Sequence, residues 1–228
     1  IGKQVRLVIV TDYEALGRSL LKGTIDVGWF SPFAYVAAKN RGPIVPVVTP
    51  VVNGNASYLG YIIAPKGNNY STVDDLRGKH FGFVDPQSAS GYVYPKAMLV
   101  EQGKDPEKFF GKTSFLGSHK RVIEAVLENV VDGGATYSEA IDSAKNEGIA
   151  VEKLAILAQT EPIPKDVIAG RPDLDPALIK QLQQVFIQYR DSDSGRAAVL
   201  RKASINGFVA ACDETYDVIR RAAQLVRK

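Results

Sequence analysis

Short apolar runs and amphipathic segments take turns along this chain. The run "VRLVIV" (5–10) predicts a strand, and "YEALGRSLLKG" (13–23) puts Leu16 and Leu20 on one helical face before Gly23 stops it. "IDVGWF" (25–30) predicts a second strand. Ser31 as N-cap, Pro32 at the first helical position and Gly42 past the end then bracket a short helix. "IVPVVTPVV" and "YLGYIIAP" predict strands around the turn "NGN" (53–55). Ser71 with Asp74 resembles a capping box for a short helix ending at Gly78. Further strands are expected at "HFGFV", "TSFLG", "GGATY", "LAILAQ" and "DVIAG". Between the second and third of these lies a helix with Val122, Ile123, Val126, Leu127 and Val130 on one face. From Asp175-Pro176 onward the pattern is almost all helix. Such alternation predicts an α/β fold with mostly parallel sheets, whose ligands gather at the carboxyl ends of strands.

Phe30, Ser88, His119 and Tyr137 all stand just beyond predicted strands. In "FGFVDPQSASGYVYPKAMLV" (81–100) a strand, a bend at Asp85-Pro86, two serines and Gly91 precede a helix. The first amides of a helix lack intrahelical acceptors and carry the positive end of its dipole, which suits an anion. Ser88 and Ser90 add hydroxyl donors there, and Gly91 lets a ligand approach the backbone. The plainer alternative is that one of the serines only caps the helix.

Composition narrows the function classes. The 228 residues, 45% hydrophobic, make one large domain or two small ones. A formal charge of +3, with Lys and Arg scattered, offers no nucleic-acid face. The single cysteine, Cys212, and two histidines, His80 and His119, exclude an internal disulfide and a Cys- or His-built metal cluster. No apolar run approaches the length of a membrane span. The chain opens without an initiator methionine, which predicts a trimmed or fragmentary sequence and leaves the compartment unread. "GKTS" (111–114) matches the end of a phosphate-binding loop, but Pro106 stands where its first glycine belongs. No nucleophile accompanies the carboxylates, so no enzyme is expected.

Six ordered runs, "IDVGWFSPFAYV", "DPQSASGYVYP", "FLGSHKRVIEAV", "DGGATYSEAID", "IPKDVIAGR" and "FVAACDETYDVIR", resemble the PhnD-like periplasmic phosphonate-binding proteins, solute receptors of ABC importers. The resemblance covers essentially the whole chain. It implies the type-2 periplasmic binding fold, two α/β domains joined by two hinge strands that close on a ligand. Family members begin with one more strand and helix, so part of the first domain is expected to be missing. The strand pattern then places domain I at 1–61 with 166–228 and domain II at 62–165.

Carried over by position, the resemblance implies oxyanion donors at Ser88, the backbone of Ala89, Ser90 and His119, with Tyr58 reaching the ligand through its hydroxyl. Glu139 and Asp166 match carboxylates that hold an amino group in members binding aminoalkylphosphonates. Phe30 and Tyr137 fall on wall positions. Where relatives read Ser-Thr-Ser this chain has Ser88-Ala89-Ser90, one hydroxyl fewer. Local alternatives stay open: His119 and Glu139 as first-turn helix residues, Asp166 as a turn residue, Tyr58 as a half-buried strand residue, Trp29 and Phe30 as core.

The expected mechanism is binding without a covalent step. Serine hydroxyls, helix-start amides and His119 hold the oxyanion through short charge-assisted bonds in an interdomain cleft that closes to exclude water. A carboxylate beside an anion needs a cation or a shared proton. Asp166 is therefore expected to meet the P–OH of phosphite or methylphosphonate, or with Glu139 the ammonium of 2-aminoethylphosphonate. Tyr137, with Phe30, Tyr58 and Tyr92, favours the smaller ligands, and an aromatic wall is expected to exclude phosphate. The expected role is an extracytoplasmic receptor for a small phosphorus oxyanion, partnered with an ABC permease. It needs no cofactor and meets the membrane only through the transporter or a lipid anchor. A sensing domain of a signalling protein is the alternative.

Overall fold

The computed structural model describes residues 1–10, 12–86, 88–188 and 204–226. In chain order its helices and strands are α1 (Tyr13–Leu21), β1 (Val27–Phe30), α2 (Pro32–Lys39), β2 (Val45–Val52), β3 (Ser57–Tyr58), β4 (Gly60–Pro65), β5 (His80–Phe83), α3 (Tyr94–Glu101), α4 (Pro106–Phe109) and β6 (Lys112–Phe115). There follow α5 (His119–Leu127), β7 (Gly133–Tyr137), α6 (Ser138–Asn146), β8 (Leu154–Gln159), β9 (Ile163–Pro164), β10 (Val167–Gly170), α7 (Pro176–Gln188), β11 (Ile205–Ala210) and α8 (Asp217–Val226). The chain divides into two units, Ile1–Ser57 with Pro164–Val218 and Tyr58–Ile163 with Ile219–Lys228. It crosses the division at β3 and at β9, two short strands that pair with each other, and again within α8.

The first unit is built on a four-stranded sheet in the order β1-β10-β2-β11, every pair antiparallel. Val47, Val48, Ile168, Ile205 and Phe208 form its buried cluster, against which Ile179, Leu182 and Phe186 of α7 pack. Helix α2 starts as its sequence dictates: Ser31 Oγ accepts from the Ala34 amide at 3.3 Å and Pro32 occupies the first turn.

The second unit has five strands in the order β6-β5-β7-β4-β8. β5 runs parallel to β6 and β7, while β4 is antiparallel to β7 and β8. Successive side chains of a strand point to opposite faces, and β4 uses both. Ile62 joins Phe81, Phe83, Leu99 and Phe110 in one cluster, and Ile63 joins Ile123, Val126, Val131 and Leu154 in the other. Helix α5 packs on β7 because Gly134 has no side chain: a Cβ there would lie 2.5 Å from Val122 Cγ1.

Several expectations are corrected. The first sheet is antiparallel and the second mixed, neither mostly parallel; in the first, β10 and β11 re-enter after the chain has run through the second unit. The crossover helices that keep neighbours parallel do not join them. The run "VRLVIV" forms no strand and leaves Val5, Leu7 and Ile9 exposed; an extended segment gains its hydrogen-bond ladder only from a neighbour, and among the described residues none flanks it. The capping box is Thr72 with Asp75, one residue on, and heads a 3-10 turn, Val73–Leu76. The C-terminal third contains β11, where Asn206 and Gly207 interrupt the apolar alternation. The helical expectation for residues 189–203 lies outside the described residues. Val130 falls beyond α5 and is exposed.

Candidate functional site

In the second unit, the segment after β5 enters its helix through a π-turn, Ala89–Val93, where the Val93 amide donates to the Ser88 carbonyl at 3.1 Å. A π-turn widens the spacing between a donor and its acceptor and leaves the amides before it without intrahelical partners. Ser88 Oγ accepts from the Gly91 amide at 3.0 Å, so Ser88 is the cap. That cap requires glycine at 91, since a Cβ there would sit 2.7 Å from Ser88 Oγ and 2.5 Å from Val84 Cβ. Ser90 is different. It is only 3% exposed, and among the described residues no hydrogen bond to its hydroxyl is found.

Ser90 lies against Gly60, whose Cβ, if it had one, would be 3.4 Å from Ser90 Cβ. Gly60 is the register partner of Tyr137 across β4 and β7. Tyr137 meets Tyr58 edge to face with centroids 5.3 Å apart, and His119 edge to face at 4.6 Å. Ser90, Tyr58, Tyr137 and His119 are thereby drawn to one end of the second sheet. His119 opens α5, whose cap Ser118 accepts from the Arg121 amide at 3.3 Å. Its Nδ1 is 3.3 Å from Oγ1 of the wholly buried Thr136.

Burial pushes the His119 imidazole down from 6.5 to about 4. The ring is therefore neutral near pH 7. Desolvation leaves His119 a neutral donor, whose bond to an oxyanion is charge-assisted through the acceptor alone. When the Thr136 hydroxyl donates to Nδ1, the single ring proton resides on Nε2. Glu139, in the first turn of α6, accepts from Ser138 Oγ at 2.6 Å, and Ser138 Oγ in turn accepts from the Leu59 amide at 3.3 Å. Its carboxylate is already engaged.

The remaining two residues belong to the first unit. Phe30, at the end of β1, is wholly buried, its ring close under Gly28 and Leu16 in the position of a core residue. Its neighbour Trp29 points to the opposite face and donates from Nε1 to Asp166 Oδ2 at 2.8 Å. Asp166 is half-buried. Burial raises its pKa above the usual carboxylate value, against the opposing pull of the Trp29 bond and the Lys165 charge. The backbone before it is pinned, because Tyr216 Oη donates to the Lys165 carbonyl at 3.1 Å and shares a hydrogen bond with Thr49 Oγ1 at 3.0 Å. Trp29 and Thr136 are the polar partners that sequence reasoning missed; each immediately precedes a strand-end residue that it did single out.

A family model described as the periplasmic substrate-binding protein of ABC transporters for phosphonate matches residues 1–216. The chain belongs to this family. It is a family of transport receptors, not of enzymes. Phosphate-import protein PhnD of Mycolicibacterium smegmatis is 25% identical over 244 residues, covering 98% of this chain and 76% of its own. PhnD1 of Prochlorococcus marinus, solved with methylphosphonate, superposes with a TM-score of 0.81 at 20% identity over 99% of this chain and 87% of that one. The binding component of an ABC phosphonate transporter of Pseudomonas aeruginosa gives 0.78 at 24% identity, over 97% and 75%. The fold is that of the periplasmic binding proteins. Among the described residues no helix is long and apolar enough to cross a membrane, and no group of His, Cys, Asp and Glu is placed to hold a metal.

Proposed function

We propose that this chain is the receptor for a small phosphorus oxyanion bound as its monoanion, phosphite or methylphosphonate in preference to 2-aminoethylphosphonate, and that it delivers the ligand to an ABC permease. In this reading Ser90 Oγ, the amides of Ala89 and Ser90, and His119 Nε2 donate to the phosphorus oxygens. Tyr58 and Tyr137 wall the site, and Asp166 is read as an acceptor for a ligand hydrogen.

The Ser90 hydroxyl, in a residue only 3% exposed and without a partner among the described residues, at the sheet end that also holds a neutral His119, is the observation that carries the reading. The donors gathered there are all uncharged, and the helix start contributes roughly half a positive charge. A dianion would be under-compensated in such surroundings, while a monoanion is matched. Asp166, as an acceptor, suits a ligand that keeps one P–OH proton. The small-ligand preference rests on the Tyr58, Tyr137 and His119 rings in mutual contact, and on Glu139, whose engagement with Ser138 weakens the case for an ammonium partner.

Phosphate is the second reading, favoured by the name of the Mycolicibacterium relative. A thermal-shift screen of the full chain against phosphite, methylphosphonate, 2-aminoethylphosphonate, phosphate and sulfate separates the readings, since at equal concentration stabilisation grows with the logarithm of the ratio of ligand to its dissociation constant. Phosphite or methylphosphonate should give the largest rise. A larger rise with phosphate transfers the assignment to it.

A further inference from the structure

We propose that Trp29 is a specificity-determining positioning residue: its indole N–H, by occupying Asp166 Oδ2, leaves Oδ1 as the carboxylate oxygen that receives a hydrogen from the ligand. The inference rests on the reading of Asp166 as a ligand contact. It adds the residue that decides in which protonation state that carboxyl meets the ligand.

The geometry is specific. Nε1 and Oδ2 are 2.8 Å apart, and Trp29 stands edge to face against Phe208, centroids 6.4 Å apart and planes at 77°. The indole is thus held by packing on one side and by the carboxylate on the other. Yet Trp29 is 39% exposed, more than core packing alone requires of so large a ring. Among the described residues no other side chain donates to the Asp166 carboxylate.

The chemistry follows from the inventory of donors. An ionised carboxylate only accepts, whereas a protonated one also donates. An indole N–H has no lone pair to accept with, so its bond favours the anion. Half-burial favours the acid, so without the indole the balance moves toward the protonated carboxyl. The other titratable or charged groups about Asp166 in its own unit are Lys165, which favours the anion, and Tyr216, whose phenol burial keeps un-ionised. Asp213, in the turn that carries Tyr216, accepts from Tyr35 Oη at 2.6 Å. Trp29 is therefore the neutral donor that keeps Asp166 an acceptor, and so selects a ligand with a proton to give.

A complex that holds one proton between Asp166 and ligand binds best between two limits. On the acid side the free carboxyl is already protonated; on the alkaline side the free ligand has lost its last proton. Calorimetric titration of methylphosphonate across the whole pH range over which the chain stays folded locates the limbs in the wild type, in Trp29→Phe and in Asp166→Asn. Trp29→Phe should move the acid limb up by about one pH unit and leave the alkaline limb in place, since the ligand alone sets it. Asp166→Asn should have no acid limb. Should Trp29→Phe fail to fold, 3-benzothienylalanine replaces the chain's single tryptophan without its N–H at nearly unchanged ring size. An affinity lowered equally at every pH, with both limbs unmoved, overturns the inference and leaves Trp29 a packing residue. Absence of methylphosphonate binding to the wild type at any pH removes the reading of the ligand, and this inference with it.

Discussion

His119 Nδ1 and Thr136 Oγ1 stand 3.3 Å apart, joining the first residue of α5 to the penultimate residue of β7. When the Thr136 hydroxyl donates in this contact, the imidazole proton is on Nε2, where His119 can offer it to an anion. Thr136→Val keeps the shape and removes the hydroxyl. The expected loss of methylphosphonate affinity is about 1 kcal/mol, the net worth of one such bond. Nitrogen chemical shifts of His119 should show the Nε2–H tautomer in the wild type and a mixture in the variant. An unchanged tautomer in Thr136→Val contradicts the role given to Thr136.

The same histidine makes folding sensitive to acid. Its folded value, about 4, lies below the unfolded 6.5, so the unfolded chain binds the proton more readily. The stability that neutral His119 contributes is complete above 6.5 and is lost as pH falls through 4, a change of about 3 kcal/mol. Asp166, raised by burial, acts in the opposite sense: its contribution is present at low pH and fades as pH rises through its folded value. Urea unfolding of His119→Gln should therefore be less pH-dependent than the wild type between 6.5 and 4. Parallel curves for the two proteins would remove the buried neutral ring from the account.

Ser88 and Ser90 should separate cleanly. Ser88→Ala deletes a cap and is expected to cost about 1 kcal/mol of stability. Ser90→Ala deletes a hydroxyl with no partner among the described residues, so stability should hold while ligand affinity falls by roughly 1 to 3 kcal/mol. Paired denaturation and calorimetry measure both quantities, and a stability loss in Ser90→Ala matching that of Ser88→Ala contradicts the division of roles.

The strand and helix rhythm was legible wherever an element carries its own signal. Ser31-Pro32 marked the start of α2 and the Val122, Ile123, Val126 stripe marked α5. The "VRLVIV" segment and β11 were misjudged for a shared reason: a strand is completed by its neighbours, which local pattern does not contain. At the site, the strand-end residues stood out, while Trp29 and Thr136, one position earlier and on the opposite face, did not. Their importance comes from Asp166 and His119, 137 and 17 residues away.

Tyr94 offers a test of packing independent of ligand. Its hydroxyl is buried with no hydrogen-bond partner among the described residues, and burial holds the phenol un-ionised. Removing an unsatisfied polar atom relieves its desolvation cost, so Tyr94→Phe should be neutral or more stable by about 1 kcal/mol. A destabilised variant in urea unfolding points to a partner for the hydroxyl, such as an ordered water, that the variant loses.

Whether uncharged donors hold a small monoanion is decided by head-to-head calorimetric titration of methylphosphonate and 2-aminoethylphosphonate at matched neutral pH. Methylphosphonate should bind at least about tenfold more tightly, a difference of about 1.4 kcal/mol. Tight binding of 2-aminoethylphosphonate with weak or absent binding of methylphosphonate contradicts it, and makes Glu139 and Asp166 the holders of an ammonium.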